Sequence, residues 1–107
     1  MAIVDEINES NFENIVIKSE KLVLVDFYAQ WCGPCRKMSP VLEQIQNEMS
    51  SDIKIVKLDT DKCPSIASEY GVLSLPSMLI FKDGEVKEVM VGLMPKSSVV
   101  SNIQKYV

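Results

Sequence analysis

Trp31-Cys32-Gly33-Pro34-Cys35 decides the reading of this chain. Its two cysteines lie three positions apart, after the apolar run Leu22-Val23-Leu24-Val25 and at the start of a helix-like pattern. A thiol pair between the C-terminal end of a strand and the beginning of a helix is the redox reading of C-x-x-C. On an α-helix, residues three apart share a face, so the two sulfurs can meet. The helix start also leaves backbone N–H groups unpaired and sets the positive end of the helix dipole beside Cys32. That field favours thiolate over thiol. Cys32 is therefore expected to be the outer, attacking sulfur, and Cys35 the deeper, resolving one. Gly33 admits the close approach of another backbone, and Pro34 suits the first helical turn, where its missing N–H costs nothing.

Two duller readings compete, a zinc site and a plain structural disulfide. Structural zinc takes about four ligands, whereas Cys63 is the only further thiol and histidine is absent. The absence of histidine also removes imidazole bases and Cys–His pairs.

A chain of 107 residues fits a single domain spanning 1–107 with one core. Hydrophobic residues at 47% and charged ones at 24% mark an ordinary globular composition rather than a disordered one. A net charge of −4 argues against a nucleic-acid or anionic-membrane partner. Met1-Ala2-Ile3-Val4-Asp5-Glu6 shows no basic segment followed by an apolar one, so no signal peptide is visible. No apolar run approaches the roughly 20 residues that span a bilayer. The expected compartment is the cytosol, where a C-x-x-C is catalytic more often than structural.

Along the chain, Ala2 to Glu6 reads as a short strand. Ser10 and Glu13 have capping-box spacing, with Phe12, Ile15 and Val16 on one helical face. Leu22 to Tyr28 is a strand apolar on both faces, as a central parallel strand should be. Met38, Val41, Leu42, Ile45 and Met49 then follow helical spacing from Cys35 to Met49, with Pro40 inside and a kink expected there. Ile53 to Leu58 is a strand, and Pro64 to Tyr70 a short helix stopped by Gly71. Met78 to Phe81 and Val86 to Val91 flank Asp83-Gly84, a hairpin signal. A last helix begins near Pro95 and turns Val99, Val100, Ile103 and Tyr106 or Val107 inward. The order β-α-β-α-β-α-β-β-α predicts an α/β fold with helices covering a mixed sheet.

The pentapeptide, together with Asp26, Pro40, Lys57, Pro76, the Phe81-Lys82-Asp83-Gly84 turn and Gly92, resembles the thioredoxin family over essentially the whole chain. The resemblance implies a central mixed five-stranded sheet with four helices on its two faces. It also implies a Cys32–Cys35 dithiol/disulfide as the redox centre, with no bound cofactor. The implied partners are disulfide-containing client proteins and a flavin- and NADPH-dependent thioredoxin reductase, with the chain acting as a monomer. No nucleotide-binding Gly-rich motif is present in this chain itself.

Asp26 interrupts an apolar strand on the face shared by Leu24 and Tyr28. A carboxylate so placed is desolvated and its pKa pushed upward. The resemblance sets it behind Cys35 as acceptor of that thiol's proton, tuned by Lys57. The plain alternatives are a strand-end Asp in a capping role and an exposed Lys. Leu75-Pro76 would ordinarily be a trans bond, but the resemblance implies a cis proline facing the cysteines. It would turn the Leu75 backbone toward an extended substrate peptide. Trp31, Gly33, Pro34, Leu75, Pro76, Val91 and Gly92 would then form a shallow apolar groove that tolerates many client sequences. Cys63 reads as a small hydrophobe, with a regulatory thiol as the alternative.

Gln30, Lys37, Ser74 and Met94 depart from the commoner family pattern, which bears on partner preference rather than on the reaction. Proline in place of a charged residue between the cysteines leaves the reduced pair a willing electron donor. The expected activity is general protein-disulfide reduction by thiol–disulfide exchange. A disulfide oxidant or isomerase, and a non-enzymatic binding module, are the alternatives.

Overall fold

A computed structural model describes residues 4–107. Five strands are present: β1 (Asp5–Ile7), β2 (Leu22–Tyr28), β3 (Ile53–Asp59), β4 (Ser77–Lys82) and β5 (Glu85–Val91). The α-helices are α1 (Gly33–Glu48), α2 (Pro64–Glu69) and α3 (Lys96–Gln104), and Glu13–Ile17 forms a π-helical segment. The strand order is β1-β3-β2-β4-β5. β3 runs parallel to both β1 and β2, while β4 is antiparallel to β2 and β5. The expected mixed five-stranded sheet with four helices is thus observed. β2 lies in the middle, which explains why its six residues from Leu22 to Phe27 are all buried.

Each face of the sheet carries its own core. Leu24, Ile55, Met78 and Ile80 pack with Met38, Leu42 and Ile45 of α1 and with Val99 and Ile103 of α3. On the opposite face, Val25, Phe27, Leu58 and Phe81 pack with Val16 of the π-helical segment and Ile66 of α2. Phe12, Tyr70 and Phe81 close that side as an aromatic cluster, with the Tyr70 and Phe81 centroids 5.3 Å apart. Cys63 is buried in the same cluster. Burial raises its thiol pKa, and the nearby Glu9, Asp59 and Glu6 carboxylates push the same way against a backbone hydrogen bond at Glu9.

Several sequence expectations change in detail. The first strand is Asp5–Ile7, and the Ala2 and Ile3 portion of the expected strand lies outside the described residues. The Ser10 capping box does not form, and the first helical segment is one π turn rather than an α-helix. The reason is local. Asn8 Oδ1 accepts the Ser10 hydroxyl at 2.6 Å and the backbone N–H groups of Ser10 and Asn11 at 2.9 and 3.2 Å. The Ser10 hydroxyl that a cap would have used is thus engaged by Asn8, and Lys18 N–H closes onto Glu13 C=O at 2.9 Å. α1 starts two residues earlier than the apolar spacing suggested and continues through Pro40. Of the two residues offered as the last inward contact, Tyr106 packs against the core and Val107 is exposed.

The hairpin is as its sequence predicts. Asp83 and Gly84 both have positive φ, 54° and 80°, as a two-residue turn matched to strand twist requires. At Gly84 an added Cβ would also come within 3.1 Å of the Ile17 carbonyl oxygen, so the position excludes side chains on two counts.

Candidate active site

The two sheet faces meet the redox centre at the C-terminal end of β2. Cys32 is the N-cap of α1 and Pro34 lies in its first turn. Cys32 and Cys35 are joined as a disulfide, with Cα atoms 5.3 Å apart, so the structure is of the oxidised form. Cys32 Sγ accepts the backbone N–H of Cys35 at 3.2 Å, one of the donors that a helix start leaves free. In the reduced form the same donor, aimed at a sulfur, stabilises negative charge there.

Exposure does not rank the two sulfurs. Cys32 is 3% exposed and Cys35 4%. What separates them is what each faces. Cys32 lines an outer groove of about 360 Å³, with Trp31, Gly33, Pro34, Thr60, Val72, Leu73 and Leu75. Cys35 lines a second cavity of about 230 Å³, with Asp26, Lys57, Glu6, Tyr28 and residues of α1.

The groove differs in membership from the expected set. Trp31, Gly33, Pro34 and Leu75 line it. Pro76, Val91 and Gly92 lie together beside it, with Gly92 N–H donating to Pro76 C=O at 2.8 Å and Val91 opposite Ser77 in the hairpin ladder. The Leu75-Pro76 bond is cis, as the resemblance implied. Thr60, Val72 and Leu73 are lining residues that sequence reasoning missed. Thr60 is held there by two bonds to the Tyr28 carbonyl, from its N–H at 2.9 Å and its hydroxyl at 3.2 Å. The next residue, Asp61, accepts the Trp31 indole N–H on Oδ2 at 2.9 Å. Trp31 is 69% exposed and Leu73 96%, so two large apolar side chains flank Cys32 in contact with water. Among the described residues, nothing beyond its chain neighbours and its own helix backbone lies within 4 Å of a Cβ placed on Gly33. Its surface is therefore open to an incoming partner rather than filled from within.

The second cavity owes its polarity to the ends of two apolar rows. On the α1 side of the sheet, Leu24 is followed by Asp26 on β2, and Ile55 by Lys57 on β3. Asp26 stands opposite Lys57 in the β2–β3 register and opposite Met78 across β4. Its carboxyl is 4% exposed, and Oδ1 has no hydrogen-bond partner among the described residues. Burial lifts the Asp26 pKa to about 7, against the pull of the Lys57 charge in the other direction. A carboxyl group that gains and loses a proton near neutrality thus shares a cavity with Cys35. The Lys57 ammonium lies 5.6 Å from the Tyr28 ring centroid.

A family model described as Thioredoxin matches residues 3–105. The thioredoxin of Pyropia yezoensis is 46% identical over 104 residues, covering 97% of this chain and 97% of its own. That of Synechocystis sp. is 42% identical over 106 residues, covering 99% of both. A chloroplastic M-type thioredoxin of Triticum aestivum is 46% identical over 108 residues, and there the match covers 98% of this chain but 62% of the relative. With a redox-active Cys32–Cys35 disulfide at the start of α1 and a mixed five-stranded sheet behind it, the chain belongs to the thioredoxin family of thiol–disulfide oxidoreductases.

Proposed function

We propose that this single 1–107 domain is a general protein-disulfide reductase in which Cys32 attacks, Cys35 resolves and Asp26 handles the proton. The observation that carries the reading is the division of the joined sulfurs between two cavities, Cys32 on the open groove and Cys35 on the Asp26 side. In the reduced protein the Cys32 thiolate attacks one sulfur of a client disulfide. The client S–S bond breaks, one client thiolate leaves, and a mixed disulfide forms. Cys35 gives its proton to the Asp26 carboxylate, and the resulting thiolate attacks Cys32 Sγ. The mixed disulfide breaks and the second client thiolate leaves. Two electrons have passed from the dithiol to the client, and the Cys32–Cys35 disulfide remains.

Trp31, Gly33, Pro34, Leu75 and the neighbouring Pro76, Val91 and Gly92 would receive an extended client segment, with Lys57 tuning Asp26. A thioredoxin reductase returns the electrons. We take that enzyme to be flavin- and NADPH-dependent, as the resemblance implies. No helix among the described residues is long and apolar enough to cross a membrane. We place the chain in the cytosol as a monomer, where a reducing environment keeps the pair in its donor form.

The oxidant or isomerase reading is tested by equilibrating the protein with glutathione mixtures, quenching, and counting alkylated thiols. A reductant keeps its disulfide until the buffer is more reducing than glutathione's own midpoint. Full reduction in a mildly oxidising mixture would instead assign an oxidant.

A further inference from the structure

The cavity behind Cys35 contains more charge than the proton transfer uses. Glu6 of β1 is opposite Lys57 of β3, and Lys57 is opposite Asp26 of β2. Residues opposed in register point to one face, so a carboxylate, an ammonium and a second carboxylate form a row across three strands, and all three line the cavity. Exposure runs along the row, from exposed Glu6 through half-buried Lys57 to buried Asp26. No close ion pair joins Lys57 to either carboxylate among the described residues; the ammonium lies over the Tyr28 ring instead. The Tyr28 hydroxyl in turn engages the Glu6 carboxylate. The Lys57 charge therefore acts on Asp26 through space rather than as a direct pair, and Asp26 Oδ1 is left unpaired.

We propose that Glu6 is a positioning residue: with Tyr28 as its platform, it draws the Lys57 ammonium outward and so preserves the strength of Asp26 as a base toward Cys35. The proposal rests on the reading of Asp26 as proton acceptor. The physical ground is competition. An ammonium moved close to a desolvated carboxylate favours its charged form and makes it a weaker base, and a second carboxylate across the lysine opposes that move. The other groups around Asp26 do not supply the same control. Arg36 of α1 gives its Nη1 donor to Gln30 C=O at 2.7 Å, Met78 of β4 is uncharged, and Ser39 and Cys35 of α1 are neutral in the resting pair. Asp59 acts on Tyr28 from the end of β3.

The test is a carboxyl NMR titration of Asp26 in the oxidised full chain, for wild type, Glu6→Gln, Lys57→Met and the double variant. Glu6 is exposed, so its replacement leaves the core intact. Glu6→Gln is expected to lower the Asp26 midpoint by about half to one pH unit, and Lys57→Met to raise it. In the Lys57→Met background, Glu6→Gln should move the midpoint by less than about a third of its effect alone. An unmoved or raised midpoint in Glu6→Gln, or an equal shift in both backgrounds, overturns the proposal. The pH profile of mixed-disulfide resolution, measured on the same proteins, should shift with the midpoint. A midpoint that moves while the profile stays fixed would uphold the hold of Glu6 on Asp26 and remove the proton-acceptor role instead.

Discussion

Asp26 and Lys57 stand directly opposite each other between β2 and β3, yet the carboxyl is buried with one oxygen unpaired and the ammonium rests over Tyr28. That separation makes Asp26 a destabilising residue at neutral pH. An unfolded-chain aspartate ionises near pH 3.9, whereas native Asp26 does so at about 7. Between these values the native state holds a proton that the unfolded state has released. Stability therefore falls as pH rises through this window and levels off above it, by on the order of 4 kcal/mol. Asp26→Asn should make the oxidised protein more stable than wild type at pH 8, with the gap closing toward pH 4. Urea unfolding at the two pH values measures it, and a gap that does not change with pH would contradict the burial argument.

A second buried polar residue has the opposite effect. Gln46 of α1 donates from Nε2 to Ile53 C=O at 2.9 Å and accepts the Ile55 N–H on Oε1 at 2.5 Å. Its side-chain amide thus acts as a strand peptide unit along β3, ahead of the Val56–Leu58 stretch that pairs with β1. Gln46→Leu should cost about 2–4 kcal/mol, because it leaves two buried backbone groups without partners. Denaturant midpoints would record it, and a loss below about 0.5 kcal/mol would show that other groups satisfy this edge.

These two residues mark what was legible in the chain and what was not. Asp26 could be found because a charge interrupts a strand otherwise apolar on both faces. Lys57 was tied to Asp26 only through the resemblance, since its place opposite depends on which strands are neighbours. Gln46 gave no signal, because a single amide on a helix reads as surface until the strand beneath it is known. Strand order came only from resemblance, for periodicity identifies elements and not their neighbours. The groove was half legible. Trp31, Gly33, Pro34 and Leu75 are attached to recognisable motifs, but Thr60 is placed by its bonds to the Tyr28 carbonyl, and Val72 and Leu73 by the loop between α2 and β4. The failed Ser10 cap has a similar origin, since nothing in its spacing reveals that Asn8 engages the Ser10 hydroxyl.

Leu73 and Trp31 are costly to leave in water unless they meet a client. Leu73→Glu and Trp31→Ala should each lower kcat/KM for a protein disulfide by about tenfold, the scale of one lost apolar anchor. Reduction of a small aromatic disulfide should change less than about twofold. Equal losses on both substrates would mean that these residues act on the sulfurs rather than on docking.

Cys63 sits in the core on the face away from α1, with its thiol pushed up by burial. In the reduced native protein, iodoacetamide should modify Cys32 first and leave Cys63 untouched until the chain unfolds. Peptide mapping after a short pulse would show the order. Early modification of Cys63 would place its thiol at the surface.

The division of labour between the sulfurs is tested most directly by trapping. Reduced Cys35→Ser protein, mixed with a disulfide-bonded client, should accumulate a covalent adduct through Cys32 that mass spectrometry can assign, because the resolving thiolate is gone. Cys32→Ser should form no such adduct and reduce nothing. Adducts through Cys35 in the Cys32→Ser protein, or continued client reduction by it, would contradict the assignment of Cys32 as the attacking sulfur.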